Sequence, residues 1–354
     1  MSDLAAVRDE DAFDVAAVVG WLRAEGVEVD GVPQVQQFSG GASNLTYLLS
    51  WPDRELVLRR PPVGRKARGA HDMRREFLVQ QRLRPVFPYL AEMLVCCTDP
   101  AVIGSDFYVM QRLAGTILRA DAPVGLGLGL SEPQVRDLCL RTVDTLVALH
   151  QVDVSAAGLD DLGKGAGYVA RQVGGWTERY RAAKTADVPD LESTMTWLAA
   201  HQPADVRICV IHNDFRFDNL VLDPSDGVPR VVGVLDWEMA TLGDPLMDLG
   251  GSMAYWVQAD DDETMRGLRR QPTDLPGMLT RQQVVDHYCA RMGLPAGDWL
   301  FYEVFGLFRL AVIIQQIYYR YVAGQTHNPA FRDFGVAVAL LDQRCRRLIG
   351  VGGR

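Results

Sequence analysis

Between positions 206 and 236 the chain runs apolar three times and each time breaks off into polar residues rich in carboxylates. Residues 206–211 lead into the polar loop His212-Asn213-Asp214-Phe215-Arg216-Phe217-Asp218-Asn219. Residues 220–222 and 231–235 then flank the turn Asp223-Pro224-Ser225-Asp226-Gly227, and the second of these runs ends on Asp236. Short apolar runs bounded by turn residues read as buried strands, and polar groups beside a buried strand need partners. The stretch is expected to form a hairpin with carboxylates and one amide gathered at its ends.

The surrounding pattern divides the chain. A helix is expected over 11–25, and from Val32 the pattern becomes strands and turns. Strands are expected over 35–38, 45–50 and 55–59, the last stopped by Pro61-Pro62, which cannot donate to a ladder. The loop Ser39-Gly40-Gly41-Ala42-Ser43-Asn44 joins the first two. A helix over 68–83 and a strand over 107–113 follow. Beyond Gly115 the periodicity is mostly helical: 131–150 with Ser131 as cap, 284–292 behind the capping box Thr280-x-x-Gln283, and the apolar 301–322. The architecture is therefore a small β-rich half followed by a larger helical half, as the 354-residue length allows. The Gly125-Leu126-Gly127-Leu128-Gly129 stretch fits no phosphate-loop spacing and reads as a connection.

Thirty-six Lys and Arg against 45 Asp and Glu give a net charge of −9, which offers no general attraction to nucleic acid or anionic membrane. The six cysteines include no C-x-x-C pair and suit a reducing compartment. The acidic start lacks a signal-peptide core, and the longest apolar run, 304–319, is interrupted by Arg309, Gln315 and Gln316. A soluble cytoplasmic protein is expected.

The chemistry lies in residue types and their order. Asp214 and Asn219 stand five apart and Asp236 seventeen beyond Asn219, at a strand end. Phosphoryl transfer from ATP needs a carboxylate to orient the attacking hydroxyl, and an amide oxygen and second carboxylate to hold Mg²⁺ against the phosphates. H-x-D-x-x-x-x-N followed by a strand-end Asp is the kinase order. An isolated Asp-x₄-Asn would be an ordinary turn. Upstream, Gly40-Gly41 can bring backbone N–H groups close to phosphates. Arg59 ends a strand where kinases place a phosphate-binding Lys, and Glu76 on the next helix is its natural partner. Singly, Arg59, Arg60, Arg74, Arg75 and Glu76 would be surface charges.

With these residues in order, the chain resembles the aminoglycoside phosphotransferase and choline kinase type of small-molecule kinase, within the protein-kinase-like fold. The likeness runs from Phe38 to Asn44 through Leu58-Arg59-Arg60-Pro61-Pro62, Arg75-Glu76, the 212–219 loop and Leu235-Asp236-Trp237-Glu238. It continues through Gly243-Asp244-Pro245 to Phe308-Arg309. Within that family it is most similar to the branch related to the kinase domains fused to some acyl-CoA dehydrogenases. The resemblance implies an α+β, two-lobe fold: an antiparallel-sheet N-lobe over 1–113 and a mainly helical C-lobe over 114–354. It implies Asp214 as catalytic base, Arg216 facing the γ-phosphate, Asn219 and Asp236 as Mg²⁺ ligands, and a nucleotide hinge at Gln111 to Leu113. Ser39, Gly40, Gly41, Ala42, Ser43, Asn44, Arg59 and Glu76 complete the nucleotide site.

Two positions depart from the family pattern. Asn213 stands where the family usually has Gly, and Arg59 replaces the usual Lys, keeping the charge on a bulkier fork. Nothing like an activation segment follows Asp236-Trp237-Glu238, which favours a small-molecule acceptor over a peptide. The leading expectation is thus an ATP- and Mg²⁺-dependent kinase of a small hydroxylated metabolite, a hydroxy acid or hydroxyacyl derivative among them. The alternatives are an aminoglycoside-type antibiotic phosphotransferase and a catalytically idle pseudokinase. Asp260-Asp261-Asp262-Glu263 reads as an exposed charged loop rather than an acidic cleft for a polycation. Trp256, Arg309, Tyr318 and Tyr319 lie in segments that could line the acceptor pocket. Arg309 in an apolar helix must find an anion, either Asp248 or an acidic substrate group.

Overall fold

In the computed structural model of the chain, which describes residues 4–38, 44–62, 72–225, 227–295 and 299–352, two compact units form. The first comprises Met1–Gly115 with Ala157–Leu159 and Val232–Glu238, and the second the remainder. Two short segments from the later chain thus pack with the N-terminal unit, and Asp236 is carried on one of them.

The first unit is built on a six-stranded antiparallel sheet. Its strands are β1 (Leu4–Ala5), β2 (Gln34–Phe38), β3 (Leu45–Ser50), β4 (Glu55–Arg60), β5 (Met93–Cys97) and β6 (Phe107–Gln111), in the order β1-β2-β3-β4-β6-β5. Helices α1 (Val15–Ala24), α2 (Met73–Leu83) and α3 (Pro100–Ile103) complete it. The period-2 alternation of β4 sends its side chains to two separate cores. Leu56 and Leu58 pack with Tyr47, Leu49, Phe107 and Val109 and with Val18 and Leu22 of α1. Val57 faces Met73 and Phe77 of α2, with Tyr108 and Met110. Arg59 shares the Val57 face, so the strand period alone turns it toward α2 and Glu76.

Local chemistry moves some boundaries. Asp14 accepts from the Ala17 N–H and starts α1 later than the expected 11–25, leaving Asp9–Asp11 as a separate helical turn. Asp72 likewise caps α2, by accepting from the Arg75 N–H; residues 68–71 of the expected helix lie outside the described residues. β4 runs on to Arg60, whose buried guanidinium bonds the Asp11 carbonyl at 2.7 Å and the Tyr47 hydroxyl at 3.1 Å. The sequence reading missed β5, a short strand without strong alternation.

The second unit carries α4 (Glu132–His150), α5 (Tyr168–Ala183), α6 (Glu192–Ala200), β7 (Cys209–Ile211), β8 (Leu220–Asp223) and β9 (Arg230–Val234), the last passing into the first unit at Val232. β10 (Thr241–Gly243), α7 (Pro245–Met253), α8 (Glu263–Gly267), α9 (Arg281–Met292), α10 (Leu300–Val322) and α11 (Phe334–Gly352) follow. β8 and β9 form the expected two-stranded hairpin, with Asp226 of its turn outside the described residues, while β7 pairs with β10. The Gln134 side chain accepts from the Ser131 N–H at 2.9 Å and Gln283 from the Thr280 N–H at 3.0 Å, closing both N-terminal caps. Gly125 and Leu126, with left-handed backbones, form one tight turn ahead of α4.

The expected exposed acidic loop holds at Asp260, Asp262 and Glu263 but not at Asp261. Asp261 is buried, and it accepts from Arg281 at 2.6 Å, Arg344 at 3.1 Å and the Gln258 N–H at 2.8 Å. A buried carboxylate has to be paired, and two arginines distant in sequence do it. Among the described residues α10 is the one helix long and apolar enough to cross a membrane; most of it is buried against α5, α7 and α11. Its approach to α7 depends on two glycines. A Cβ built on Gly306 would lie 2.1 Å from the Gly250 carbonyl oxygen, and one on Gly250 2.6 Å from that of Tyr302. Backbone cannot yield as a flexible side chain can. Gly306→Ala is therefore expected to force α7 and α10 apart and cost about 1–3 kcal/mol, as overpacked cores do. Chemical denaturation would show this as a lower midpoint with an unchanged slope.

Candidate active site

Each unit brings together part of the expected constellation. In the first, β4 carries Arg59 one residue before its end and α2 presents Glu76 on its buried face. The Arg59 Nε lies 3.4 Å from Glu76 Oε1, and its Nη2 lies 2.6 Å from Asp236 Oδ1. Glu76 is buried and also accepts from the Tyr108 hydroxyl at 3.1 Å. Burial pushes the Glu76 carboxyl up to about 7; Arg59 pulls it back while Asp236 and Glu238 push it further. Arg59 stays charged: burial works against its cation, but Glu76 and Asp236 outweigh that and raise its pKa. Asp236 has a left-handed backbone, φ +67°, a conformation that costs a non-glycine residue about 1–3 kcal/mol and is tolerated best by Asp and Asn. It ends β9 abruptly and turns the carboxylate back to Arg59.

Asn44, Gln111 and Leu113 lie in the same unit. The Asn44 amide donates to Glu238 Oε2 at 3.2 Å, and the Glu238 carbonyl accepts from Arg75 at 3.3 Å. Glu238 thus ties the start of β3 and α2 to the 232–238 segment. Gln111 closes β6, its N–H bonded to the Glu92 carbonyl at 2.8 Å, and Leu113 packs half-buried on the Val57 and Phe77 core. Ser39, Gly40, Gly41, Ala42 and Ser43 lie outside the described residues.

In the second unit the 212–219 loop hangs from one buried carboxylate. Asp248 on α7 accepts from the His212 N–H at 2.9 Å, the Asn213 N–H at 2.7 Å and His150 Nε2 at 3.0 Å. Burial pushes its pKa up, but the His150 hydrogen bond and charge, with His212, more than offset this and hold it below the usual carboxylate range. Asn213 takes φ +66°, which explains why glycine is the family residue there and why Asn substitutes for it. The Asp214 N–H then donates to His212 Nδ1 at 3.2 Å. Asp214 Oδ2 accepts from the Asn219 amide at 2.9 Å and lies 3.3 Å from Arg216 Nη2. Its Oδ1 accepts nothing among the described residues. Arg216 also sits 3.1 Å from Asp218 and stacks over the Tyr255 ring at 4.5 Å.

Each unit has an oxygen of the kind a hard cation prefers. Asn219 spends its amide N–H groups on the Asp214 carboxylate and carbonyl, so its carbonyl oxygen is left without a hydrogen bond from a described residue. Asp236 uses Oδ1 for Arg59, and its Oδ2 is likewise left over. Mg²⁺ prefers oxygen ligands and takes one or two from protein when phosphates supply others. No group of three acidic, His or Cys side chains among the described residues offers a closed metal cage.

Other expectations are corrected. Arg309 does not pair with Asp248, which is saturated by backbone and His150. Asp244 caps α7, accepting from the Leu246 and Met247 N–H groups, and also accepts from the Val206 N–H. Trp256 is buried with its indole N–H on the Leu279 carbonyl, and Tyr318 donates to Asp187 at 2.6 Å on the surface. Neither is free to line an acceptor pocket. Sequence reasoning missed Tyr255 and Trp176, aromatic residues with no motif around them, and His150, whose only signal was a histidine at the end of an amphipathic helix.

The chain matches the family model described as the phosphotransferase enzyme family over residues 34–283. It is 36% identical to mouse acyl-CoA dehydrogenase family member 10 over 312 residues, which are 88% of this chain but 28% of that protein. The chain thus spans under a third of that relative's length. A solved structure of a candidate aminoglycoside phosphotransferase from Ralstonia eutropha shares 32% identity with a TM-score of 0.80, covering 95% of this chain and 98% of that one. Choline kinase from Cryptosporidium parvum, at 12% identity, shares the fold with a TM-score of 0.65, covering 96% of this chain and 97% of its own. The fold is therefore protein-kinase-like, as the sequence reading expected.

The raised carboxyl of Glu76 makes stability depend on pH. The folded chain holds a proton that the unfolded chain releases near its ordinary pKa of 4.5, so stability is fullest below that value and falls as pH rises toward 7. Glu76→Gln, neutral throughout, is expected to flatten this part of a denaturation-against-pH curve. An unchanged slope between pH 4.5 and 7 would contradict the assignment.

Proposed function

Because the chain belongs to the phosphotransferase enzyme family, we propose that it is an ATP- and Mg²⁺-dependent kinase acting on a hydroxyl of a small metabolite. One observation carries the reading: Arg59 stands between Glu76 and Asp236, a carboxylate 177 residues away in sequence. Phosphoryl transfer asks for a fixed cation and a carboxylate beside it, and little covalent chemistry. The loop supports the same reading, since among the described residues Asp214 keeps one oxygen unbonded while the other is held by Asn219 and Arg216.

In this reaction Asp214 orients the acceptor hydroxyl and takes its proton as the acceptor oxygen bonds to the γ-phosphorus. The bond from that phosphorus to the β–γ bridging oxygen breaks, and ADP leaves. Arg59 and Arg216 supply fixed positive charge to the phosphates, at no reorganisation cost because both are already braced by carboxylates. Asn219 and Asp236 are the residues that would hold Mg²⁺, whose chemistry is to neutralise phosphate charge. Tyr108 and Glu76 keep Arg59 in place.

Two alternatives lose support. A pseudokinase would lack part of this set, yet the base, the amide and the strand-end carboxylate are all present. A polycationic antibiotic would want free acidic groups, and Asp261 of the acidic run is spent on Arg281 and Arg344.

Asp214→Asn keeps the shape and removes the proton acceptor. Single-turnover kinetics on the variant are expected to show a loss of about 10²–10⁴-fold, the range of a missing general base, with ATP affinity within a few fold. Unchanged turnover would remove Asp214 from the chemistry. Asp236→Ala, by contrast, is expected to abolish most of the Mg²⁺-dependent part of ATP affinity in calorimetric titration. Equal affinity with and without Mg²⁺ in both proteins would reject Asp236 as a ligand.

A further inference from the structure

We infer that the acceptor carries an oxyanion, a carboxylate or phosphate held by the guanidinium of Arg309. The inference names the substrate class for the kinase reading above and rests on that reading for the reaction.

Arg309 lies in the apolar body of α10 and is 7% exposed. A buried cation is normally paired, and this protein pairs others: Arg281 and Arg344 bracket Asp261. Arg60 has no carboxylate either, yet its Nε and Nη2 are taken by the Tyr47 hydroxyl and the Asp11 carbonyl. Arg309 differs from both. It makes one hydrogen bond, from Nη2 to the Asn213 carbonyl at 2.8 Å, and no ion pair among the described residues. Its remaining N–H groups have no protein acceptor there.

The surroundings hold the guanidinium without neutralising it. The Trp176 ring lies 5.3 Å beneath it, a cation–π contact that leaves the planar edge free. Gly251 on α7 makes room for it, since a Cβ there would come within 3.0 Å of Nη1. The Tyr168 hydroxyl donates to Asn213 Oδ1 at 3.2 Å, and Tyr255 lies under Arg216. The pKa of Tyr255 is raised by burial and by Asp214 and lowered by Arg216 and Arg309, which places its hydroxyl within the field of all three.

Position decides what the free edge is for. The carbonyl that Arg309 grips belongs to Asn213, one residue before Asp214, and adjacent Cα atoms are about 3.8 Å apart. An anion on this guanidinium would therefore sit beside the loop that carries Asp214. A guanidinium fork matches carboxylate and phosphate oxygens in pairs. The same charge repels cationic acceptors, which gives selectivity against amino sugars without any added contact.

The test is calorimetric titration of the full chain with 3-hydroxybutyrate, its methyl ester, glycerol 3-phosphate and glycerol, each with and without MgADP. The two acids are expected to bind and the two neutral partners not; the stronger acid identifies carboxylate or phosphate as the source. Arg309→Gln is expected to weaken acid binding by about 10²-fold, the usual loss when one partner of a desolvated charge pair is removed. MgADP affinity should stay within a few fold. Arg309→Lys, which keeps the charge and loses the fork, should fall between. Should Arg309→Gln fail to fold, the acid-against-ester comparison on the unaltered chain still decides. Equal binding of acid and ester, no binding of either acid, or an unweakened Arg309→Gln overturns the inference. Acid binding without ATP consumption would leave it standing and overturn the kinase reading instead.

Discussion

A carboxylate withdrawn from water must be satisfied by donors, and Asp248 meets that requirement with the backbone of the loop that carries Asp214. Its two oxygens take the N–H groups of His212 and Asn213 and the ring of His150. Backbone donors cannot be exchanged by mutation, so this arrangement locks the chain path. It forces Asn213 into the left-handed region and delivers Asp214 one residue later. His150 is in turn held by the Tyr288 hydroxyl at 2.5 Å, so α4, α7 and α9 all converge on the same loop. The helical unit is in effect a support for eight residues.

The sheet unit solves a different problem with the same means. Arg59 is a long, mobile side chain, and a mobile cation does little for a transition state. Glu76 and Asp236 brace it from two sides, and the opposed faces of β4 keep it apart from Arg60, which is used structurally. Arginine suits this better than lysine, because its fork can meet two carboxylates while staying charged.

Four buried or half-buried arginines therefore fall into three kinds, read from how far each is neutralised. Arg60 is satisfied by carbonyl and hydroxyl groups and belongs to packing. Arg59 and Arg216 are braced by carboxylates, Glu76 and Asp236 for the first and Asp214 and Asp218 for the second. Arg309 has a ring face and one carbonyl, leaving the most charge unanswered. Solved relatives of the same fold show how widely acceptors vary on this scaffold, as fold alone never sets substrate.

Much of this was legible in the sequence. Strand period, the Pro61-Pro62 stop and the capping pairs Ser131/Gln134 and Thr280/Gln283 are local, and β3 and the hairpin β8–β9 appeared where local chemistry put them. The residue types of the 212–219 loop were equally plain, because phosphoryl transfer, the chemistry proposed for it, restricts which side chains can serve. Tertiary structure decided the rest. That Asp236 rides on a segment packing with the first unit, that Asp261 is buried between Arg281 and Arg344, and that Asp248 serves backbone rather than Arg309 are outcomes of competition among distant donors. A sequence shows each charge, but desolvation sets the cost of leaving it unpaired. Which partner meets that cost is settled only when the chain has closed around it.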